Sequence, residues 1–264
     1  MEKITAIIVA AGNGTRMGGV KNKVFLPLGE QSVIDYTLNT ISKCEEIDNI
    51  ILVTRECDIP LCKNLKSMAK NILVIAGGKT RQESVYLGLQ AAKNADIVVI
   101  HDGARALITT DIIKNAIDNT KKFGASAVGV PCKDTLKSVD EDGFITGTID
   151  REHTYLIQTP QIFRKDEILL AHKKAIKDRF IATDDCALYE KYIGKIKITM
   201  GSYDNIKLTT PDDMVIAKNI LKNSGLLKVL NKRRSIKNSI KLIVQKHIIS
   251  SSIKKEKKER EKWE

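Results

Sequence analysis

Residues Ile4 to Gly18 read Ile-Thr-Ala-Ile-Ile-Val-Ala-Ala-Gly-Asn-Gly-Thr-Arg-Met-Gly. The apolar run Ala6–Ala10 predicts a buried strand, and the glycine-rich stretch Ala10–Gly18 opens directly after it. Glycines there allow backbone N–H groups to approach and cradle phosphates. The stretch falls at the carboxyl edge of a sheet, where open α/β folds bind their ligands. A nucleoside triphosphate fits that edge.

Outward from this stretch, further short apolar runs recur at Ile50–Val53, Ile72–Ile75, Ile97–Ile100 and Ala127–Val130, with helical stretches between them. Near-continuous apolar strands alternating with helices predict a mostly parallel sheet covered on both faces. The expected fold is therefore α/β and doubly wound. With 264 residues, 42% of them hydrophobic, the chain can build a sizeable core.

Between Thr135 and Asp150 the pattern changes. Two extended pieces, Thr135–Val139 and Phe144–Ile149, flank Asp140-Glu141-Asp142-Gly143 and predict a β-hairpin arm within about residues 133–155. A lone two-stranded arm is marginal in water, so it must pack on its own domain or on a second subunit.

The formal charge of +12 is concentrated at one end. Residues 225–264 hold 13 Lys/Arg against 4 Asp/Glu, and residues 1–224 hold 31 against 28. The expected organisation is an α/β domain over 1–224 and a basic extension over 225–264. Ile236, Ile240 and Ile243 have helical spacing in that extension, which suits a basic helix that contacts RNA or an anionic surface; a solvated tail is the plain alternative. No DNA partner is expected. The five cysteines are odd in number and scattered, which predicts reduced thiols and no zinc cluster. The run Ile4–Ala11 is too short to span a membrane and lacks a cleavage pattern, so a cytoplasmic protein is expected.

Two familiar phosphate motifs fail on spacing. Gly12, Gly14 and Gly18 leave one residue too many for a dinucleotide fingerprint, and Gly78-Lys79-Thr80 has Leu73 where a Walker loop needs glycine. The first loop instead carries its own cations, Arg16 within it and Lys23 beyond it. An Arg fork grips phosphate oxygens and a Lys acts as a point charge on a phosphorus gaining negative charge. Asp102, at the end of the run Ile97–Ile100, either faces the crevice as an oxygen ligand for Mg²⁺ or caps a turn.

These segments, with Gly77–Ser84, Lys133–Lys137, Asp150-Arg151, Gln158–Gln161, Thr183–Asp185 and Asp204–Lys207, resemble the 2-C-methyl-D-erythritol 4-phosphate cytidylyltransferase family across residues 4–222. The resemblance implies a Rossmann-like nucleotidyltransferase that moves CMP from CTP to a sugar-alcohol phosphate. It implies that Arg16 and Lys23 are catalytic and that Arg151, Lys207, Thr183 and Arg105 position the acceptor. It further implies CTP contacts at Ala10, Ala11, Gly12, Gly78, Lys79, Ser84, Asp102 and Gly103, Mg²⁺ at Asp102, and a homodimer that swaps its arms.

The chain departs from the family pattern in two places. Asn22-Lys23-Val24 stands where Pro-Lys-Gln is usual, and Gly103-Ala104-Arg105-Ala106 where Ala-Ala-Arg-Pro is usual. Ribitol 5-phosphate cytidylyltransferases share the chemistry but tend to open with Ala-Gly-Gly rather than Ala10-Ala11-Gly12. A scaffold whose basic tail binds nucleic acid is the rival from another class; its affinity would fall steeply with salt.

Overall fold

A computed structural model describes residues 2–12, 22–67, 70–223 and 225, with the backbone alone at 63, 64, 66 and 67. Arg16 and the helix expected around Ile236, Ile240 and Ile243 lie outside the described residues. The chain divides into two units, residues 1–217 and 218–264; of the second, the described part is the end of one helix and Gly225.

The first unit is built on a seven-stranded sheet in the order β11-β7-β10-β6-β1-β4-β5. Its strands are β1 (Ile4–Ala10), β4 (Asn49–Thr54), β5 (Ile72–Ala76), β6 (Ile97–Asp102), β7 (Ala125–Pro131), β10 (Tyr155–Arg164) and β11 (Lys197–Met200). Each apolar run in the sequence lies within one of the first five. β1 pairs in parallel with β4 and β6, β4 with β5, and β11 with β7. Only β10 runs antiparallel, wedged between β6 and β7.

Helices α1 (Val33–Lys43), α2 (Arg81–Ala91), α3 (Thr110–Phe123), α4 (Lys165–Lys177) and α5 (Asp185–Tyr192) cover the sheet, and α6 (Pro211–Asn223) follows. Alternation along β1 sorts the core into two layers. Ile4, Ala6, Ile8 and Ala10 pack with Ile34, Leu38 and Ile41 of α1 and Ile113 and Ile117 of α3. Ile7 packs on the opposite face with Val85 and Leu89 of α2, Ile168 and Ala171 of α4, and Leu188 of α5. The doubly wound expectation is met.

Local chemistry sets the helix ends. Ser32 and Asp35 form a reciprocal capping box at the start of α1. Thr80 caps α2 and Thr109 caps α3, each by accepting a backbone N–H. Gly124, at φ +90°, ends α3 in a conformation that a β-carbon disfavours.

The predicted hairpin is present as β8 (Leu136–Val139) and β9 (Ile145–Ile149), a separate antiparallel pair. Asp140 organises its turn: the Asp140 N–H donates to the Phe144 carbonyl, and Asp140 Oδ1 accepts from Phe144 N at 2.8 Å. A short antiparallel pair, β2 (Pro27–Leu28) with β3 (Gln31–Ser32), leads into α1.

Candidate active site

The chain leaves β1 to build β4 and β5 on one side, then returns to place β6 on the other. That reversal opens a crevice at the carboxyl ends of β1 and β6. The crevice holds a cavity of about 530 Å³, a size suited to a small ligand. Among the described residues, five cations line it, Lys23, Arg55, Lys79, Arg81 and Lys207, against two carboxylates, Glu56 and Asp102. Such a wall concentrates a polyanion. The N-terminus of α2 also opens here, adding the positive end of its dipole.

Asp102 is the centre of the site. Its carboxylate is buried and accepts from Arg81 Nε at 3.2 Å on Oδ1 and from Lys207 Nζ at 2.9 Å on Oδ2, with Arg105 Nε 3.8 Å away. Burial alone would raise its pKa, but the Arg81, Lys207 and Arg105 charges outweigh burial and hold it well below the usual carboxylate range. Arg81 is itself held from behind, its Nη1 donating to the buried Asp185 at 2.8 Å.

Lys207 reaches Asp102 because the segment after β11 is stitched to the sheet. Leu208 N donates to the Ala104 carbonyl, and Arg105 Nη1 donates to the Asn205 carbonyl at 2.7 Å. The buried Asn205 amide donates to Gln158 Oε1 and to the Thr159 carbonyl, both at 3.0 Å. Arg105 therefore does not line the cavity; it secures the segment that carries Lys207.

His101 has a structural place. Its Nε2 lies 3.2 Å from the Arg105 carbonyl, which can only accept, so Nε2 carries the proton and Nδ1 accepts from Thr159 Oγ1 at 3.0 Å. Thr159 Oγ1 in turn accepts the Asp102 N–H at 3.0 Å. Burial pushes the His101 pKa down to about 4, which keeps the ring neutral.

Ala10, Ala11, Gly12, Gly78, Lys79, Ser84 and Asp102 all line the cavity, as does Lys23. Two loop amides are engaged internally: Gly78 N donates to Ser84 Oγ at 3.1 Å and Lys79 N to Glu83 Oε2 at 2.7 Å. Gly77 is glycine for close approach, since a β-carbon there would sit 2.5 Å from that of Ala11. Gly103 packs under the cavity, where a β-carbon would meet Ile34 at 3.0 Å and Ala10 at 3.3 Å. Thr183 is exposed beside Asp184, which caps α5, and neither lines the cavity. Arg151 sits at the foot of the hairpin, donating to the Lys133 carbonyl at 3.2 Å, away from the cavity of its own chain.

The profile of the family described as IspD, 2-C-methyl-D-erythritol 4-phosphate cytidylyltransferase, matches residues 4–223. The chain belongs to this family. It is 46% identical over 227 residues to the 2-C-methyl-D-erythritol 4-phosphate cytidylyltransferase of Clostridium novyi, covering 84% of this chain and 98% of that one. The enzyme of the same name from Clostridium acetobutylicum is 43% identical over the same shares. The crystal structure of 4-diphosphocytidyl-2C-methyl-D-erythritol synthase from Anaerococcus prevotii superposes with a TM-score of 0.76 at 36% identity, covering 84% of this chain and 96% of that one.

Within this cytidylyltransferase family frame, several site residues were not singled out from sequence. Arg81, Thr159, Asp185 and Asn205 all lie inside stretches that carried the family resemblance, so a signal for them existed. In the sequence Asn22 stands out only as a departure from the family pattern. The structure shows its function in the fold: its amide donates to the Ala10 carbonyl and to Asp58, which proline cannot do.

Proposed function

We propose that the chain transfers CMP from CTP to 2-C-methyl-D-erythritol 4-phosphate, giving 4-diphosphocytidyl-2-C-methyl-D-erythritol and pyrophosphate. The observation that carries this reading is the cation-lined crevice centred on Asp102 and Lys207 in a chain of this family. An oxygen of the acceptor phosphate attacks the α-phosphorus of CTP; that P–O bond forms as the bond to the departing pyrophosphate breaks. A phosphate monoester with a second pKa near 6 is already largely dianionic at neutral pH, so no general base is needed. The task for the protein is to neutralise and align charge.

In this reading Lys23 and Arg16 stabilise the charge that develops at the α-phosphorus. Ala10, Ala11, Gly12, Gly78, Lys79, Ser84, Asp102 and Gly103 form the CTP site. Lys207, Arg105, Arg151 and Thr183 serve the acceptor, Arg105 by holding the Lys207 segment. Mg²⁺ fits the donor set as an ion held by one carboxylate and by nucleotide phosphates, because Asp102 keeps spare lone pairs beside Arg81 and Lys207. When bound there it would neutralise phosphate charge.

The arm exposes Val139, Phe144, Ile145 and Ile149. That apolar face supports a homodimer in which each arm carries Arg151 to the partner's crevice. Among the described residues no helix is long and apolar enough to cross a membrane, and all five cysteines are free, which supports a reducing, cytoplasmic setting. The deciding experiment is pyrophosphate release with Mg²⁺ and CTP, comparing methylerythritol 4-phosphate with ribitol 5-phosphate. Release with the first alone is expected; release with ribitol 5-phosphate alone would keep the chemistry and replace the acceptor.

A further inference from the structure

A buried polar cluster joins Ala10 to Asn22, and the reaction as described assigns it no role. Asn22 is 2% exposed and Asp58 4%. The Asn22 amide has two N–H donors, and each has its own acceptor: the Ala10 carbonyl at 2.7 Å and Asp58 Oδ2 at 2.9 Å. Asp58 also receives the Arg55 fork, Nε to Oδ2 at 2.6 Å and Nη2 to Oδ1 at 2.9 Å. Ala10 ends β1 and Asn22 is the first described residue beyond the loop. One side chain thus ties the two ends of the loop together and fastens both to the segment after β4.

Lys23 follows immediately. Its other neighbour, Val24, is also 2% exposed, and Asn22 receives Val24 N on Oδ1 at 3.4 Å and Phe25 N on its carbonyl at 3.0 Å. Lys23 is therefore bracketed by two buried anchors while its side chain lines the cavity. A shift of Asn22 turns this short 3-10 segment and carries the ammonium with it.

We propose that Asp58 and Asn22, backed by Arg55, form a positioning latch that sets the Lys23 ammonium against the α-phosphate of the nucleotide. The inference rests on the cytidylyl-transfer reading above. Asp58 does not itself line the cavity; its hydrogen bonds lead there through Asn22, which precedes Lys23, and through Arg55, and the latch assigns its effect on the rate to the Asn22–Lys23 route. A misplacement of about 1 Å at a catalytic cation can cost up to about 10²-fold in rate. A latch that loosens without breaking should cost about tenfold.

The test is pyrophosphate-release kinetics on the full chain for the wild type, D58N, K23A and the double variant, with melting curves to establish folding. In D58N, kcat is expected to fall about tenfold while KM for CTP and acceptor stays within about twofold, the pattern of an interaction used in the transition state. In the K23A background, D58N is expected to change kcat by less than about twofold. Independent, multiplying losses in the double variant, or an unchanged kcat in D58N, would overturn the latch. N22S, which removes the amide donors, decides the matter by the same criteria if D58N does not fold. A second readout needs no turnover: trypsin should cut after Lys23 several-fold faster in the latch variant than in the wild type, and an equal rate overturns the proposal. A wild type silent with both acceptors would sink the functional reading, and the trypsin comparison would still judge the latch.

Discussion

Lys207 Nζ donates to Asp102 Oδ2 at 2.9 Å across the mouth of the crevice between β1 and β6. The two residues come from the end of β6 and from the segment after β11, and their meeting converts a strand-end carboxylate into the hub of a cluster that also holds Arg81 and Arg105. A buried charge is costly unless it is paired, so the site and the stability of this region depend on the same contacts.

Replacement of Asp102 by Asn is therefore expected to destabilise the fold by about 3 kcal/mol, the low end for breaking a buried pair because Lys207 is 38% exposed. Urea unfolding of the two proteins at pH 7 measures it. An unchanged midpoint would mean that solvent already screens the cluster.

Lys23→Ala is expected to lower kcat by roughly 10²–10³-fold, or about 3–4 kcal/mol, with the protein still folded. Steady-state pyrophosphate release checks this. Near-normal turnover would remove Lys23 from the catalytic role.

Arg151 lies on the arm and outside the cavity of its own chain. Arg151→Ala is expected to raise KM for the acceptor phosphate about tenfold or more while leaving the affinity for CTP within about twofold, magnitudes in keeping with loss of a charge-assisted contact. Calorimetric titration of CTP into the variant separates the two. A weakened CTP affinity would put Arg151 in the nucleotide pocket instead.

The pH dependence of stability should expose Asp58. Burial would raise its carboxyl pKa, but Arg55 and Asn22 prevail and hold it below the ordinary value. A carboxyl depressed in the fold contributes stability that is complete above its unfolded pKa, near 3.9, and is lost as pH falls below that value. D58N is thus expected to be less stable than the wild type by about 2 kcal/mol at pH 7, with the gap narrowing below about pH 4. A gap of constant size down to pH 3 would contradict the charged pairing.

Removal of residues 225–264 is expected to leave pyrophosphate release within about twofold of the full chain, because the charged residues that line the cavity among the described residues all lie before residue 210. Loss of turnover in a folded truncation would return the basic tail to the centre of the mechanism.

Much of this was legible from residue order. Ile97–Ile100 and its counterparts read as strands because a parallel sheet buried on both faces demands unbroken apolar runs. Asp140–Gly143 read as a turn, and Lys23, Asp102 and Lys207 stood in stretches with a family resemblance. β10 was not legible as a central strand. Its buried Gln158, Thr159 and Gln161 look polar in sequence, and they lie inside because each finds hydrogen-bond partners from distant elements.

What the sequence determined by itself was the alternation that winds the chain doubly about a sheet, the glycine-rich phosphate loop and the family. These depend on periodicity and local backbone freedom, which neighbouring residues set. Only the tertiary structure decided that Arg81 bridges Asp102 and Asp185, that Arg105 supports the Lys207 segment, and that Asn22 locks Ala10 to Asp58. Charged and amide groups are satisfied by whichever partner the fold brings within about 3 Å, and that proximity is a property of packing rather than of spacing along the chain.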